Sequence, residues 1–342
     1  MIISLIQALY NPRIPLPHDW DYYERVLEDI EFFAISSQIY YLLKQQDQLA
    51  QTPPFFQARL KQKYDETLRL NIFVKNRMEQ IFRKFEEKAI AAIPLKGVSF
   101  AEIYYGHIGA RGTSDIDLLI KEGDVEKAIE SVKELGYTME QARIPAHFHW
   151  SFSKPLPHSS IPLTVELHWD LLTENTSDLN IDEFWNQAMP LQSYRYMKGL
   201  SDFHTFYMIC LHGWRHNMNA LKYFIDIIQL IHVLQDQLKY TDLFKAAASH
   251  RTLKRLTRTL AIVYHHFPHL EWILELPFPN RTHLWWDYNA IRNVKHKTIK
   301  QYVNWMYYEF FDFDTVKHSF AALNNRILQA LQKNHVKGID SP

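Results

Sequence analysis

Apolar positions along the chain change their period twice. Over residues 1–87 they recur at helical spacing. "DYYERVLEDIEFFAISSQIYYLLKQQ" and "PPFFQARLKQKYDETLRLNIFVKNRMEQIFRKFEEK" read as amphipathic helices, the second as one or two long ones, with Pro53-Pro54 between them. Between 88 and 175 the period shortens. "AIAAIPL" predicts a short buried strand, "SFAEIYY" a short helix, "DIDLLI" a strand, and "GDVEKAIESVKELGY" a helix that closes at Gly136. "AHFHWSFS" alternates strictly, placing Phe148, Trp150 and Phe152 on one face and His147, His149 and Ser151 on the other. A Pro-rich turn, "KPLPHSSIP", joins it to "LTVELHWDL", which predicts a hairpin. From 176 to 342 helical spacing returns, with a bend or break at "PHLEWILELPFP" and a frayed tail, "KNHVKGIDSP". The expected class is α+β: a small mixed-sheet core over 88–175, an N-terminal helical region over 1–87 and a C-terminal helical domain over 176–342.

Composition narrows the functional classes. With 47% hydrophobic residues among 342, the chain can bury a sizeable core. Thirty-eight basic residues balance thirty-eight acidic ones, so net charge does not indicate a nucleic-acid partner. Cys210 is the only cysteine, which excludes an internal disulfide and a thiolate zinc cluster within one chain. It sits among Met208, Ile209 and Leu211 of a predicted helix and reads as buried. No run approaches the roughly 18 apolar residues of a membrane span, and the apolar start "MIISLIQALY" lacks a basic region and a cleavage site. The expectation is a soluble cytoplasmic protein without a membrane partner. Neither "GxSxG", "GxGxxG" nor a Walker loop is present.

The informative polar residues are carboxylates. Asp-x-Asp occurs three times, at Asp19/Asp21, Asp115/Asp117 and Asp312/Asp314. In a strand, residues i and i+2 face one side with Cα atoms about 6.5–7 Å apart, close enough to converge on a hard cation. In a helix the same pair diverges by about 200° of rotation. Only Asp115/Asp117 opens a clear strand, with Ile116 and Leu118 on the opposite side; the bland reading is a turn or strand start. In "LTVELHWDL", Glu166 and His168 share one face and Val165 and Leu167 the other. Glu166 is either drawn to a cation shared with Asp115 and Asp117 or exposed on an edge strand. In "PLKGVS", Gly97 permits close backbone approach to a phosphate and Lys96 adds charge, or the segment is a plain strand-to-helix turn.

Together "LKGVSFAEIYY", "ARGTSDIDLLI" and "VELHWDL" resemble the nucleotidyltransferase superfamily with the DNA polymerase β-like fold. Within it they are most similar to the bacterial group called nucleotidyltransferase family 5. "LHGWRHNMNALKYFIDIIQL" is similar to that group's helical segment, and the resemblance covers about 90–235. It implies Mg²⁺ or Mn²⁺ held by Asp115 and Asp117, with Glu166 as the third carboxylate. The substrate would be an NTP whose NMP passes to an acceptor that could be a small molecule, a protein or tRNA. Lys96, Gly97, Ser99, Arg111 and Ser114 would face the nucleotide, with His168 orienting Glu166. The family's Gly-Gly or Gly-Ser reads Gly97-Val98 here, leaving Ser99 to substitute one place later. Lys222 and Asp226, four apart, form an intrahelical pair or line the nucleotide site. Competing readings are a non-catalytic nucleotide- or partner-binding protein and a γ-phosphoryl transferase. His212 and His216, with His147, His149 or His168, have spacing that suits zinc, although "HExxH" is absent; core or loop histidines are the simpler reading. Arg251, Lys254, Arg255 and Arg258 read as a solvated helix face or a strip for a polyanion.

Overall fold

Pro53 and Pro54 open a 34-residue helix, α4 (Pro54–Glu87); proline gives up only an N–H that the first turn leaves unpaired. Three shorter helices precede it: α1 (Ile2–Tyr10), α2 (Trp20–Phe32) and α3 (Ser36–Gln45). Along α4, Val74, Met78, Ile81, Phe82 and Phe85 recur at helical spacing and lie buried in one apolar cluster with the sheet. The long amphipathic segment is therefore one helix. The structure, a computed structural model, describes residues 1–140, 147–156, 161–191, 193–278, 286–292 and 298–339. The Pro-rich turn at 157–160, Pro279 and the last three residues of the tail lie outside the described residues.

The sheet holds β1 (Ala92–Pro94), β2 (Asp115–Ile120), β3 (Thr138–Met139), β4 (His149–Lys154) and β5 (Leu163–His168), in the order β1-β2-β5-β4-β3. The β2–β5 pair is parallel and the other three pairs are antiparallel, so the sheet is mixed and the fold is α+β. One helical turn, α5 (Val98–Phe100), widens into a π turn over Ala101–Tyr105 and follows β1. Helix α6 (Val125–Glu134) follows β2, and Gly136 leaves it at φ +83°, a left-handed conformation that glycine adopts without a Cβ penalty. The two-residue period sorts the sheet's faces. Ile116, Leu118, Ile120, Val165, Leu167 and Phe152 join α4 and α6 in one apolar cluster. Asp115, Asp117, Glu166, His168 and His149 occupy the opposite face.

Beyond the sheet come α7 (Ile181–Asn186) and a two-stranded ribbon of β6 (Met189–Pro190) and β7 (Lys198–Gly199). Strands of two residues carry no alternation, so this ribbon left no pattern in the sequence. The Glu86 carboxylate at the end of α4 fastens it by accepting the N–H groups of Arg195, Tyr196 and Met197. Then follow α8 (Asp202–Arg215), α9 (Leu221–Leu234), α10 (Tyr240–Ser249), α11 (Leu253–His266), α12 (Tyr288–Arg292), α13 (Ile299–Met306) and α14 (Val316–Ile339). The tail expected to fray is helical as far as Ile339. Helices from both ends of the chain share one core: Leu5 and Leu9 of α1 and Ile39 of α3 cluster with Phe206 of α8, Ile228 of α9 and Leu260 of α11. Each such side chain contributes about 1.5–3 kcal/mol through burial. Among the described residues no helix is long and apolar enough to cross a membrane.

One expectation changes on α11. The basic strip on α11 is not one solvated face: Arg255 is 0% exposed, its guanidinium 4.6 Å from the ring centroids of both Trp214 and Phe313. Arg258 pairs with Asp312 at 3.0 Å, leaving Arg251 and Lys254 outside. Packing against the α8 end and the segment before α14 overrides the helical-wheel reading. The two other Asp-x-Asp pairs also have structural tasks. Asp19 accepts the Asp21 N–H as the N-cap of α2. Asp312 accepts from Trp214 Nε1 at 3.0 Å, and Asp314 accepts the Leu253 and Lys254 N–H groups at 2.9 Å, capping α11 from a distant segment. Asp314→Ala is expected to cost about 1 kcal/mol in denaturant unfolding; an unchanged midpoint would show that the cap carries no weight.

Candidate active site

Register builds the site. In the parallel β2–β5 pair Asp117 stands opposite Glu166, and in the antiparallel β4–β5 pair His149 stands opposite His168. One carboxylate oxygen from each of Asp115, Asp117 and Glu166 falls within 4.8 Å of the others. A cleft of about 170 Å³ opens over them, with Lys96, His168 and Phe148 on the sheet side. Its far wall is one stripe of α8, at Met208, Leu211, His212, Arg215 and His216, followed by Lys222 and Tyr223 at the start of α9. That stripe follows the i, i+3, i+4, i+7 spacing of a helix face.

Charge inside the cleft is tightly coupled. Lys96 Nζ lies 3.0 Å from Asp115 Oδ2 and 2.8 Å from Asp117 Oδ2. His168 Nε2 lies 3.2 Å from Asp117 Oδ1 and 3.1 Å from Glu166 Oε2. Asp117 is 3% exposed, and burial opposes its ionisation; the Lys96 charge and the His168 hydrogen bond outweigh that and hold its carboxyl well below the usual range. Burial likewise opposes charge on Lys96 and His168, yet Asp117 with Asp115 raises the first, and Asp117 with Glu166 raises the second. Asp117 Oδ2 accepts no well-directed hydrogen bond despite its burial. Converging carboxylates suit a hard divalent cation in oxygen coordination, with Lys96 as the charge that now meets them.

The wall above carries charge without a counter-ion. Among the described residues no carboxylate lies within ion-pair distance of Arg215 or Lys222. Arg215 rests 4.4 Å over the Phe148 ring and Lys222 5.3 Å over the Tyr223 ring. Burial lowers both from their ordinary values, and for Lys222 the nearby Arg111 and Lys96 charges add to it. His216 is pulled down to about 4, first by burial and then by Arg215 and Lys96, so it stands neutral at pH 7. Arg215 went unnoticed in the sequence; the signal available was its place on the His212–His216 face of α8.

Other expected residues take different positions. Gly97 has φ +78°, and a Cβ there would meet Thr113 Cγ2 at 3.1 Å, so the turn beside Lys96 requires glycine. Ser114 Oγ touches Asp115 Oδ1 at 3.3 Å on the exposed rim. Ser99 turns to α4, its Oγ 3.8 Å from Met78 Sδ, and does not line the cleft. Arg111 does not line it either. Its guanidinium binds Asp226 through Nε at 2.9 and 3.0 Å and Nη2 at 2.8 Å, with Tyr105 Oη donating to Asp226 at 3.0 Å. Asp226 is thus committed to Arg111, and the expected Lys222–Asp226 pair is replaced by this buried one. The histidines also divide: His149 and His168 group with Glu166, whereas His212 and His216 meet edge to face across the cleft.

The Arg111–Asp226 pair ties the loop before β2 to α9, so the wall and the floor of the cleft share one buried connection. Burial opposes charge on Arg111, but the Asp226 carboxylate raises its pKa above the ordinary value. Removing one partner leaves a buried charge uncompensated. Asp226→Ala is expected to cost about 3–5 kcal/mol in equilibrium unfolding; a loss near zero would mean the pair does not hold the two elements together.

No curated protein and no solved structure matches the chain. The family described as an uncharacterised nucleotidyltransferase matches residues 19–268, which include the sheet, the Lys96-Gly97 turn and the α8–α9 wall. With well over half of its length matched, the chain belongs to that nucleotidyltransferase family.

Proposed function

We propose that the protein transfers an NMP from an NTP to a hydroxyl or similar group on an acceptor, by in-line displacement at the α-phosphate. The observation that carries this reading is the convergence of Asp115, Asp117 and Glu166 beneath a wall bearing Arg215 and Lys222. Asp115, Asp117 and Glu166 would hold Mg²⁺ or Mn²⁺, which supplies charge neutralisation on the phosphates and activation of the attacking oxygen. Among the described residues Arg215 and Lys222 have no acid within ion-pair distance, and both line the cleft, so they would bind triphosphate oxygens with charge-assisted hydrogen bonds. Glu166 accepts the acceptor's proton and His168 orients it. The new bond joins the acceptor oxygen to the α-phosphorus, and the bond to the leaving pyrophosphate breaks. In this reading residues 88–175 are a DNA polymerase β-like core, and the helices of 176–342 supply the nucleotide wall.

A second reading rests on Lys96. Its ammonium pairs with both Asp115 and Asp117, meeting from within the chain the charge that a metal would balance. That arrangement suits a protein that binds nucleotide without turnover. Calorimetry showing NTP affinity with no product, whether or not metal is added, would favour it.

The transfer reading is tested with labelled NTPs, Mg²⁺ and a panel of small-molecule, protein and tRNA acceptors. Pyrophosphate is the expected co-product; NDP would indicate γ-phosphoryl transfer instead. Asp115→Ala and Asp117→Ala are expected to lower transfer by about 10²-fold or more. Arg215→Ala and Lys222→Ala are expected to raise KM for the NTP about tenfold each, the worth of one charge-assisted hydrogen bond. Transfer that survives Asp117→Ala unchanged would contradict the assignment.

A further inference from the structure

His149 is a buried imidazole that the protein alone does not satisfy. It is 9% exposed, and its Nδ1 has no hydrogen-bond partner. Its Nε2 points toward Glu166 Oε2 but stops at 3.8 Å, beyond hydrogen-bond reach. Among the described residues neither ring nitrogen has a protein acceptor within hydrogen-bond distance. His168, opposite it in the register, differs: its Nε2 reaches both Asp117 and Glu166, although its Nδ1 is also unpartnered. A proton on His168 therefore serves that residue and leaves His149 without a partner.

A cation between the two Nε2 atoms and Glu166 Oε2 would take all three as ligands, with each ring's proton on Nδ1. One ligand atom from each of His149, Glu166 and His168 lies within 4.8 Å of the others, and the ring centroids of the two histidines are 4.7 Å apart. Bonds of 2.0–2.2 Å at tetrahedral angles place neighbouring donors about 3.4 Å apart. The two approaches to Glu166 Oε2, 3.1 Å from His168 and 3.8 Å from His149, bracket that separation. His147 Nδ1, 3.2 Å from the His149 carbonyl oxygen, helps fix the start of β4 from the other side.

The donor set decides the metal. Two imidazole nitrogens and one carboxylate form a borderline set, whereas Mg²⁺ prefers oxygen throughout. We propose that His149, His168 and Glu166 form a site for a divalent transition-metal ion such as Zn²⁺, beside the three-carboxylate group and sharing Glu166 with it. The proposal stands on this donor geometry and does not rest on nucleotidyl transfer.

The test uses the full chain, stripped with a chelator and titrated with Co²⁺ as a coloured probe. One equivalent should bring up the visible bands of a nitrogen-ligated, low-coordinate ion. Zn²⁺ should displace it, and excess Mg²⁺ should not. His149→Asn should weaken Co²⁺ binding at least about tenfold and lose the bands, while Asp115→Asn keeps them. No bands in the wild-type protein would overturn the proposal, and that spectrum decides alone should the variant fail to fold. Bands unchanged in His149→Asn would overturn it too, assigning the colour to other histidines. Loss of transfer in Asp115→Asn with the bands intact separates this site from the catalytic reading.

Discussion

The parallel pairing of β2 with β5 is the constraint on which the molecule's chemistry depends. It sets Asp117 beside Glu166 and, through the two-residue period, turns Asp115 the same way. The same register sends Ile116, Leu118, Val165 and Leu167 to the opposite face, where α4 and α6 cover them. A slip of one residue would bury the carboxylates against Phe82 and Phe85 and expose the aliphatic side chains. Burial of the apolar half therefore holds the acidic half in place. The third strand extends the pattern, since β4 sets His149 beside His168 on the same polar face.

Charge is handled in two ways on either side of that face. Arg111 and Asp226 are closed on each other: both are buried, and three hydrogen bonds run from Nε and Nη2 to the two carboxylate oxygens. The cleft is open by comparison. Lys96 spans two carboxylates, His168 spans two more oxygens, and Asp117 Oδ2 still lacks a well-directed donor. Across from them Arg215 and Lys222 have aromatic rings beneath them and, among the described residues, no carboxylate within ion-pair distance. An acidic floor opposed by cations would suit a metal-bound polyphosphate, as proposed above.

What could be read in the sequence was whatever depends on local period. The alternation in "DIDLLI" and "LTVELH" identified β2, β5 and the shared face of Asp115, Asp117, Glu166 and His168, because strand geometry alone fixes those directions. Partner choice was hidden, because it depends on contacts between distant segments. Arg111 reads as a loop arginine four residues before Asp115, yet its carboxylate lies on α9, 115 residues further on. That pairing took Asp226 away from Lys222, which local spacing had favoured. Arg255 reads as one of four basic residues on a helix face, and only the packing of Trp214 and Phe313 around it shows why it is buried. His149 was visible as an alternating strand residue; its place beside His168 and Glu166 appears only once β4 is paired with β5.

The function of the cleft turns on whether the three carboxylates and the α8–α9 wall hold the two halves of one metal-bound nucleotide. Crystals grown with Mn²⁺ and a non-hydrolysable NTP, measured for anomalous scattering at the manganese edge, address this directly. The predicted result is a manganese peak bounded by Asp115, Asp117 and Glu166, with triphosphate oxygens against Arg215 and Lys222 and Lys96 drawn off at least one aspartate. A triphosphate bound elsewhere, or Lys96 still bridging Asp115 and Asp117 with no manganese beside them, would contradict it.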